Sequence, residues 1–421
     1  MKNILKTAGM AAVAVAGFQT TCAAQSVTVD ESKWWHVNAS LRGFYDDNYT
    51  TAPEEFAQES FGVEIRPGFD LGHQGEQHLI KLGTIYSARW FEDREDEEWD
   101  HTFIADLNGE YRLTENHVLR LSDVFSYTSE GTLLDQNGVV TTPVRSEGTN
   151  LRNLADIKYV GQLTRLVGLE IGYQNMMYDY EQEGVGSYSA VLDRMEHLIR
   201  GETRWTLTPT FAGILGYWYE MVDFTGDERL SPITPWTSDT RNSSSHFFVV
   251  GGDYTVSPNC FVSVRGGAQN VTYDNLPDEP DQWNGFGDIS STFEYAEGSY
   301  FRVGGKYGRN RTDVLSLQAG GLSEETLTMD QETVTVYGTV QHKLTAALSA
   351  RGTAQVQFGE FNGGGADNES EGLYVLGVSL NYMLNQYLSL ETGYNYDRLD
   401  SDNAGRSYSR NRVFLGVRGQ F

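Results

Sequence analysis

The connections between strand-like segments in this chain come in two lengths, and the two lengths take turns. One kind is tiny: Leu113-Thr114, Leu163-Thr164, Leu207-Thr208-Pro209, Val256-Ser257-Pro258, Leu344-Thr345 and Leu384-Asn385. The other is long and polar: 46–59, 92–100, 129–152, 181–188, 225–241, 274–284, 312–330, 362–370 and 399–405. Between them run segments of about 10–14 residues in which apolar and polar side chains alternate. Phe61, Val63, Ile65, Phe69 and Leu71 oppose Glu64, Arg66 and Asp70; Phe103, Ala105, Leu107, Gly109 and Tyr111 oppose Asp106, Asn108, Glu110 and Arg112. Side chains two apart share a face of a strand, so each segment has one greasy and one wet side.

Alternation alone means antiparallel strands, and a soluble sandwich would show it too. A propeller also suits the spacing of the short turns, yet its blades give no reason to separate short from long connections. Transmembrane barrels do separate them: short periplasmic turns, long external loops, an even strand number and aromatic girdles. In lipid every backbone donor must pair within the protein, so a spanning sheet has to close. Tyr111, Trp205, Tyr254 and Tyr382 each stand just before a short turn, where a girdle would lie. The expected fold is all-β: a single transmembrane antiparallel β-barrel of about eighteen strands over 34–421, with sixteen the alternative. No apolar run is long enough for a helical span.

The first residues supply the compartment. Lys2 and Lys6 precede an apolar stretch, Met10 to Phe18, and small residues follow to Ala24. That order reads as a cleaved signal peptide over 1–24, leaving 25–33 as a short N-terminal segment. Cys22 raises lipidation, but Gln19 and Thr21 occupy positions where a lipobox would carry Leu and Gly or Ala. Export toward the outer membrane is the expectation. Cleavage removes two lysines and no acid, leaving 29 bases against 58 acids, a net charge of −29. Such acidity argues against a nucleic-acid partner. Only Cys260 would remain, so no internal disulfide can form.

The last strand alternates Val413, Leu415, Val417, Gly419 and Phe421 against Arg410, Arg412, Phe414, Gly416, Arg418 and Gln420. Its apolar side is expected to face lipid. Val413, Leu415, Val417 and Phe421 then look like the assembly signal that outer-membrane insertion machinery reads by strand pairing. Three stretches carry a family resemblance: Gly43-Phe44-Tyr45-Asp46-Asp47-Asn48, Leu192-Asp193-Arg194 and Tyr408 to Val413. Through them the chain resembles the bacterial outer-membrane porins, most closely the Putative beta-barrel porin 2 family. The resemblance implies a single barrel and passive diffusion of small hydrophilic solutes or ions. Rival readings are a saccharide or polymer conduit, which would need aromatic tracks in the lumen, a structural barrel, and an outer-membrane enzyme.

On the strand after residue 193, Arg194, Glu196, Arg200, Glu202 and Arg204 share one face, and Met195, Ile199, Gly201 and Trp205 the other. An Arg on the lipid face costs about 2–4 kcal/mol at midplane, so the charged face is expected to line a pore. Arg410, Arg412 and Arg418 join it by parity. Charge of both signs across a lumen would sort solutes; the plainer reading is that the pairs satisfy one another along the wall. The external loop holding Glu92, Asp93, Glu95, Asp96, Glu97, Glu98 and Asp100 is strongly acidic, as are Asp274, Asp278, Glu279 and Asp281. These are read as a solvated rim that favours cations and faces lipopolysaccharide.

Loop 129–152, with Ser126, Thr128, Ser129, Thr132 and Arg145 near it, could fold inward as a constriction or stay out in solvent. A homotrimer is one assembly open to such a barrel. Asp123, Asn175 and His197 fall on the lipid parity, which requires either a bulge or an interfacial position. None of the eight histidines sits in a nucleophile or zinc motif. No cofactor and no metal site is expected: Asp400-Ser401-Asp402-Asn403-Ala404-Gly405 begins like a calcium loop, but Asn411 stands where its bidentate Glu belongs.

Overall fold

The computed structural model describes residues 33–95, 98–129, 133–134, 140–142, 148–226, 228–232, 236–276, 281–314, 317–319 and 325–421. The signal peptide read at 1–24, most of loop 129–152 with Thr132 and Arg145, and Asp96, Glu97, Asp278 and Glu279 lie outside the described residues.

Eighteen strands form one sheet. The first six are β1 (Trp35–Asp46), β2 (Ser60–Gln74), β3 (His78–Phe91), β4 (Trp99–Thr114), β5 (His117–Thr128) and β6 (Asn150–Gln162). Next come β7 (Val167–Tyr180), β8 (Arg194–Thr208), β9 (Phe211–Phe224), β10 (Ser243–Ser257), β11 (Cys260–Tyr273) and β12 (Gln282–Ala296). The last are β13 (Ser299–Asn310), β14 (Asp330–Lys343), β15 (Leu348–Asn362), β16 (Ser370–Met383), β17 (Leu388–Ser401) and β18 (Tyr408–Gln420). Each pairs antiparallel with its sequence neighbour, and β18 returns to β1 from Asn38↔Gln420 to Asp46↔Arg412. The cylinder is closed, with eighteen strands rather than sixteen.

Eight connections of two to four residues lie at one end and nine longer ones at the other. Two of the short turns, 75–77 and 297–298, lack the Leu-Thr, Leu-Asn or Ser-Pro pair that marks the rest. Register carries the alternation around the ring: Ile65 pairs with Ala88 on the outside while Glu64 pairs with Arg89 on the inside. Outward apolar side chains such as Phe61, Leu215 and Leu415 are about 60% exposed or more, because they meet lipid rather than protein. Tyr111, Trp205, Tyr254, Tyr382 and Phe421 are exposed on the same outer surface near the short turns.

The lipid-parity residues are not explained by a bulge. Pairing runs unbroken through Asp123↔Ala155, Ala155↔Asn175 and Asn175↔His197. His197 is the fourth residue of β8, near the long-loop end, and its Nδ1 lies 2.8 Å from Tyr173 Oη and 3.2 Å from Asn175 Nδ2. Tyr86–His101, His117–Tyr159, Tyr217–His246 and Tyr295–His342 share hydrogen bonds in the same way, at 2.5–2.9 Å. Half of the histidines therefore serve as interfacial partners of tyrosines, and His197 makes a fifth such pair. Asp123, the seventh residue of β5, has no hydrogen bond or ion pair among the described residues, and nothing in the structure offsets its cost.

Candidate functional site

The alternating charges of β8 all turn inward, since Arg200 pairs with Trp218 and Gly172 while Ile199 pairs with Tyr219 and Tyr173. They bond mostly across strands rather than along β8. Arg200 bonds Asp156 of β6; Arg204 bonds Asp253 of β10 at 2.5 Å; Glu202 meets Arg265 of β11 at 3.6 Å. Arg265 also holds Asp253 at 3.0 Å. Arg194 differs. It is 2% exposed, bonds Glu196 at 2.7 Å and the Leu192 carbonyl at 2.8 Å, and stacks on Tyr178. Its guanidinium fastens a loop to the wall and is covered by it.

A second charged cluster crosses the seam. Arg42 of β1 lies opposite Gly416, which lies opposite Glu391 of β17. With no side chain at Gly416, the guanidinium passes over β18 and reaches Glu391 at 2.5 Å, while Nη1 holds Glu64 of β2 at 3.2 Å. Glu64 also accepts from Ser87 at 2.7 Å and faces Arg66 at 3.8 Å. Arg410 clamps Asp46 with bonds of 2.5–3.0 Å, and Arg412 meets Asp397 at 2.5 Å. Arg418 faces inward between Ser40 and Ser389. Glu64 and Arg66 stand on the wet face read from the sequence, whereas Arg42 and Glu391, from β1 and β17, were not singled out, and no single strand shows that the four meet. Their inward parity was the one local signal.

Above this wall the loops interlock. Between β7 and β8 a one-turn helix, α1 (Tyr188–Leu192), starts at Ser187, whose side chain accepts from the Ala190 N–H. Arg241, 1% exposed in the β9–β10 loop, donates to the carbonyls of Val191, Thr312 and Met329 at 2.9, 2.8 and 3.4 Å. Val191 precedes β8 and Thr312 follows β13, five strands away, roughly 24 Å along the wall at normal strand spacing. One guanidinium can touch both only if the loops lean inward across the mouth. Arg406, before β18, makes the same kind of bridge, holding Asp313 at 2.8 and 3.0 Å and Glu371 at 2.9 Å.

Burial pulls Arg241 down to about 10, still charged at neutral pH; the Asp313 and Glu371 carboxylates, against burial, push Arg406 up. Burial pushes the Asp193 carboxyl up to about 6, against hydrogen bonds from Ser189 and the Tyr180 N–H. The described mouth is thus built by the β7–β8, β9–β10, β13–β14 and β17–β18 loops. Ser126 and Thr128 are buried on the inner wall below loop 129–152.

The acidic loop is shorter than its sequence suggested. Asp100 is the second residue of β4 and binds Arg94 at 2.7 Å, while Glu98 accepts from Trp90 Nε1 at 2.9 Å. Arg94 folds inward onto Phe91 and Tyr49. Glu92, Asp93 and Glu95 stay at the rim with Asp274 and Asp281. Val413, Leu415, Val417 and Phe421 are exposed on the lipid side of β18. Among the described residues no group of His, Cys, Asp or Glu is arranged to hold a metal.

Residues 316–421 match the model of the family described as Putative beta-barrel porin 2. The resemblance read from the sequence holds over that stretch, which contains Tyr408 to Val413; the other two stretches lie outside it. No curated protein matches the chain. Among solved structures it is similar to OccAB4 of Acinetobacter baumannii, at 13% identity over 92% of this chain and 99% of that one, TM-score 0.43. It is similar to OpdK of Pseudomonas aeruginosa at 11% identity, with 92% and 99% covered and a TM-score of 0.43. A BenF-like porin from Pseudomonas fluorescens Pf-5 gives 10% identity, 92% and 99% covered, and a TM-score of 0.45. Likeness at this level carries nothing about cargo. The closed barrel, its apolar belt and the family match make this an outer-membrane protein.

Proposed function

We propose that this outer-membrane barrel, matched over 316–421 to the Putative beta-barrel porin 2 family, is a passive diffusion channel for small hydrophilic solutes and ions. The observation that carries the reading is the closed ring of eighteen strands with ion-paired charge on its inner face. A ring of 16–18 strands is wide enough to leave an aqueous path, where an eight-stranded one fills with side chains. Most of the wall charges named above are tied to one another, so the excess acid of the rim sets the long-range field. That favours cations, most strongly at low salt, where the Debye length is roughly 30 Å at 0.01 M.

Arg200→Ala and Glu202→Ala should both insert normally and shift reversal potentials in opposite directions under a KCl gradient. Arg200→Ala leaves Asp156 unpaired and strengthens cation preference; Glu202→Ala removes one of the two acids on Arg265, leaving only Asp253, and weakens it. Shifts of the same sign would remove these side chains from the ion path.

Beyond the channel itself, external acids facing lipopolysaccharide, an assembly machinery that reads β18, and a homotrimer belong to the same proposal. The Phe421 N–H donates to Val37 O at 2.8 Å, Val37 N–H returns the bond at 3.1 Å, and the Phe421 ring stacks on Tyr387. Phe421→Ala should lower the inserted fraction several-fold in cells while leaving the conductance of inserted channels unchanged. Normal insertion with altered selectivity would mean that the two faces of β18 are exchanged.

A further inference from the structure

On the lumen side of β9, β10 and β12, Trp218, Phe247 and Phe286 pack ring against ring, with centroids 5.4–5.9 Å apart. Trp218 and Phe247 are direct cross-strand partners, and Phe286 faces Gly267 on β11. A Cβ at Gly267 would sit 3.1 Å from the Phe286 ring, so the glycine lets that ring lie back toward β10. Val249 in the same row is buried, but the three rings are only half-buried. An aqueous path gives no reason to expose such a patch, and exposed aromatic surface in a concavity marks binding.

The groups around the rings choose the ligand. Glu202 accepts from Trp218 Nε1 at 3.1 Å, and Glu220 sits one row nearer the mouth under Arg311, at 3.2 Å. Gln269, Asn284 and Asp288 edge the other side, and Asn284 Nδ2 is buried with no hydrogen-bond partner among the described residues. The nearby bases Arg200, Arg265 and Lys306 already hold Asp156, Asp253 and Asp288. A carboxylate solute would find no free base here among the described residues, and an alkyl solute would leave Asn284 Nδ2 without an acceptor, although Asn284 Oδ1 accepts from Arg309 and Gln269 donates to Ser245. Sugar hydroxyls donate and accept, so they can pair with Gln269, Asn284 and the acids while the ring's C–H face lies on the aromatics.

We infer that Trp218, Phe247 and Phe286 form a lumenal subsite for neutral oligosaccharides, which the channel admits as a preferred solute class. The inference rests on the diffusion-channel reading and narrows it. Planar-bilayer currents through the full chain in KCl, with maltotetraose added, test it. Expected are concentration-dependent interruptions of the current, weakened about tenfold in Trp218→Ala and Phe247→Ala when each variant is compared with its own sugar-free current. Benzoate at equal concentration should cause none. Uninterrupted current in maltotetraose, interruptions indifferent to both substitutions, or interruption by benzoate alone would each overturn the subsite while the channel stood. Absence of any current would instead overturn the reading beneath it. Should the alanine variants fail to insert, the Trp fluorescence of the unsubstituted protein in an amine-oxide detergent should respond to maltotetraose, and Trp218→Phe should abolish the response. An unresponsive spectrum would count as refutation.

Discussion

Arg241→Ala opens the mouth: single-channel conductance rises and becomes noisy, while the barrel still inserts and runs as a folded species on a cold detergent gel. The substitution removes the donors that three carbonyls on two other loops share, and it takes the cation off the Phe224 ring. Hydrogen bonds to a charged group contribute about 1.5–3 kcal/mol each, so the loss exceeds what α1 and the 311–314 segment can absorb. Those segments can rehydrate if they swing outward, which is why the damage should stay local. Arg241→Lys should recover part of the effect at best, because one ammonium cannot fork to carbonyls on separate loops. Faster hydrogen exchange at 188–193 and 311–314, with the strands unaffected, is the accompanying signature. Unchanged conductance and exchange would mean the interlock does not restrict the path.

Gly416→Val should prevent closure. A Cβ built there lies 2.7 Å from the Leu41 carbonyl oxygen and 2.6 Å from Arg42 Cγ. The larger side chain both pushes β1 off β18 and blocks the route by which Arg42 reaches Glu391. Overpacking costs about 1–3 kcal/mol, and breaking a buried ion pair about 3–5 kcal/mol more. Gly43→Val is the control. It sits on the same seam facing lipid, with nothing within 4 Å of its Cβ position, so it should insert like the parent. The measurement is the fraction of membrane-inserted protein whose gel mobility changes on boiling. Equal fractions for the two variants would refute the account of the seam.

Most of the wall was legible because its determinants are local. Period-2 alternation sets which side of β8 is wet, and the length of each connection sets which end of the barrel it occupies. The unsigned turns at 75–77 and 297–298 did not spoil the strand count, because the long loops on either side still marked their hairpins. What escaped depends on register or on distant loops. Trp218, Phe247 and Phe286 contribute one ring per strand, so no single stretch looks aromatic on its inner face; only pairing assembles them. Arg241 and Thr312 are separated by 71 positions and meet only because two loops lean over the same opening. Loop 129–152 drew attention by its length, whereas the described mouth is made by shorter loops with buried arginines. Length reports tolerance; buried charge reports engagement.

The eighteen-stranded ring should conduct. Purified, refolded protein added to a planar bilayer at low salt, with the cation and the anion exchanged in turn, tests it most directly. Discrete conductance steps are expected that depend more on the cation than on the anion, with the bias fading at high salt as screening shortens. A bilayer that stays silent while the same preparation shows a folded, heat-modifiable barrel would contradict that expectation.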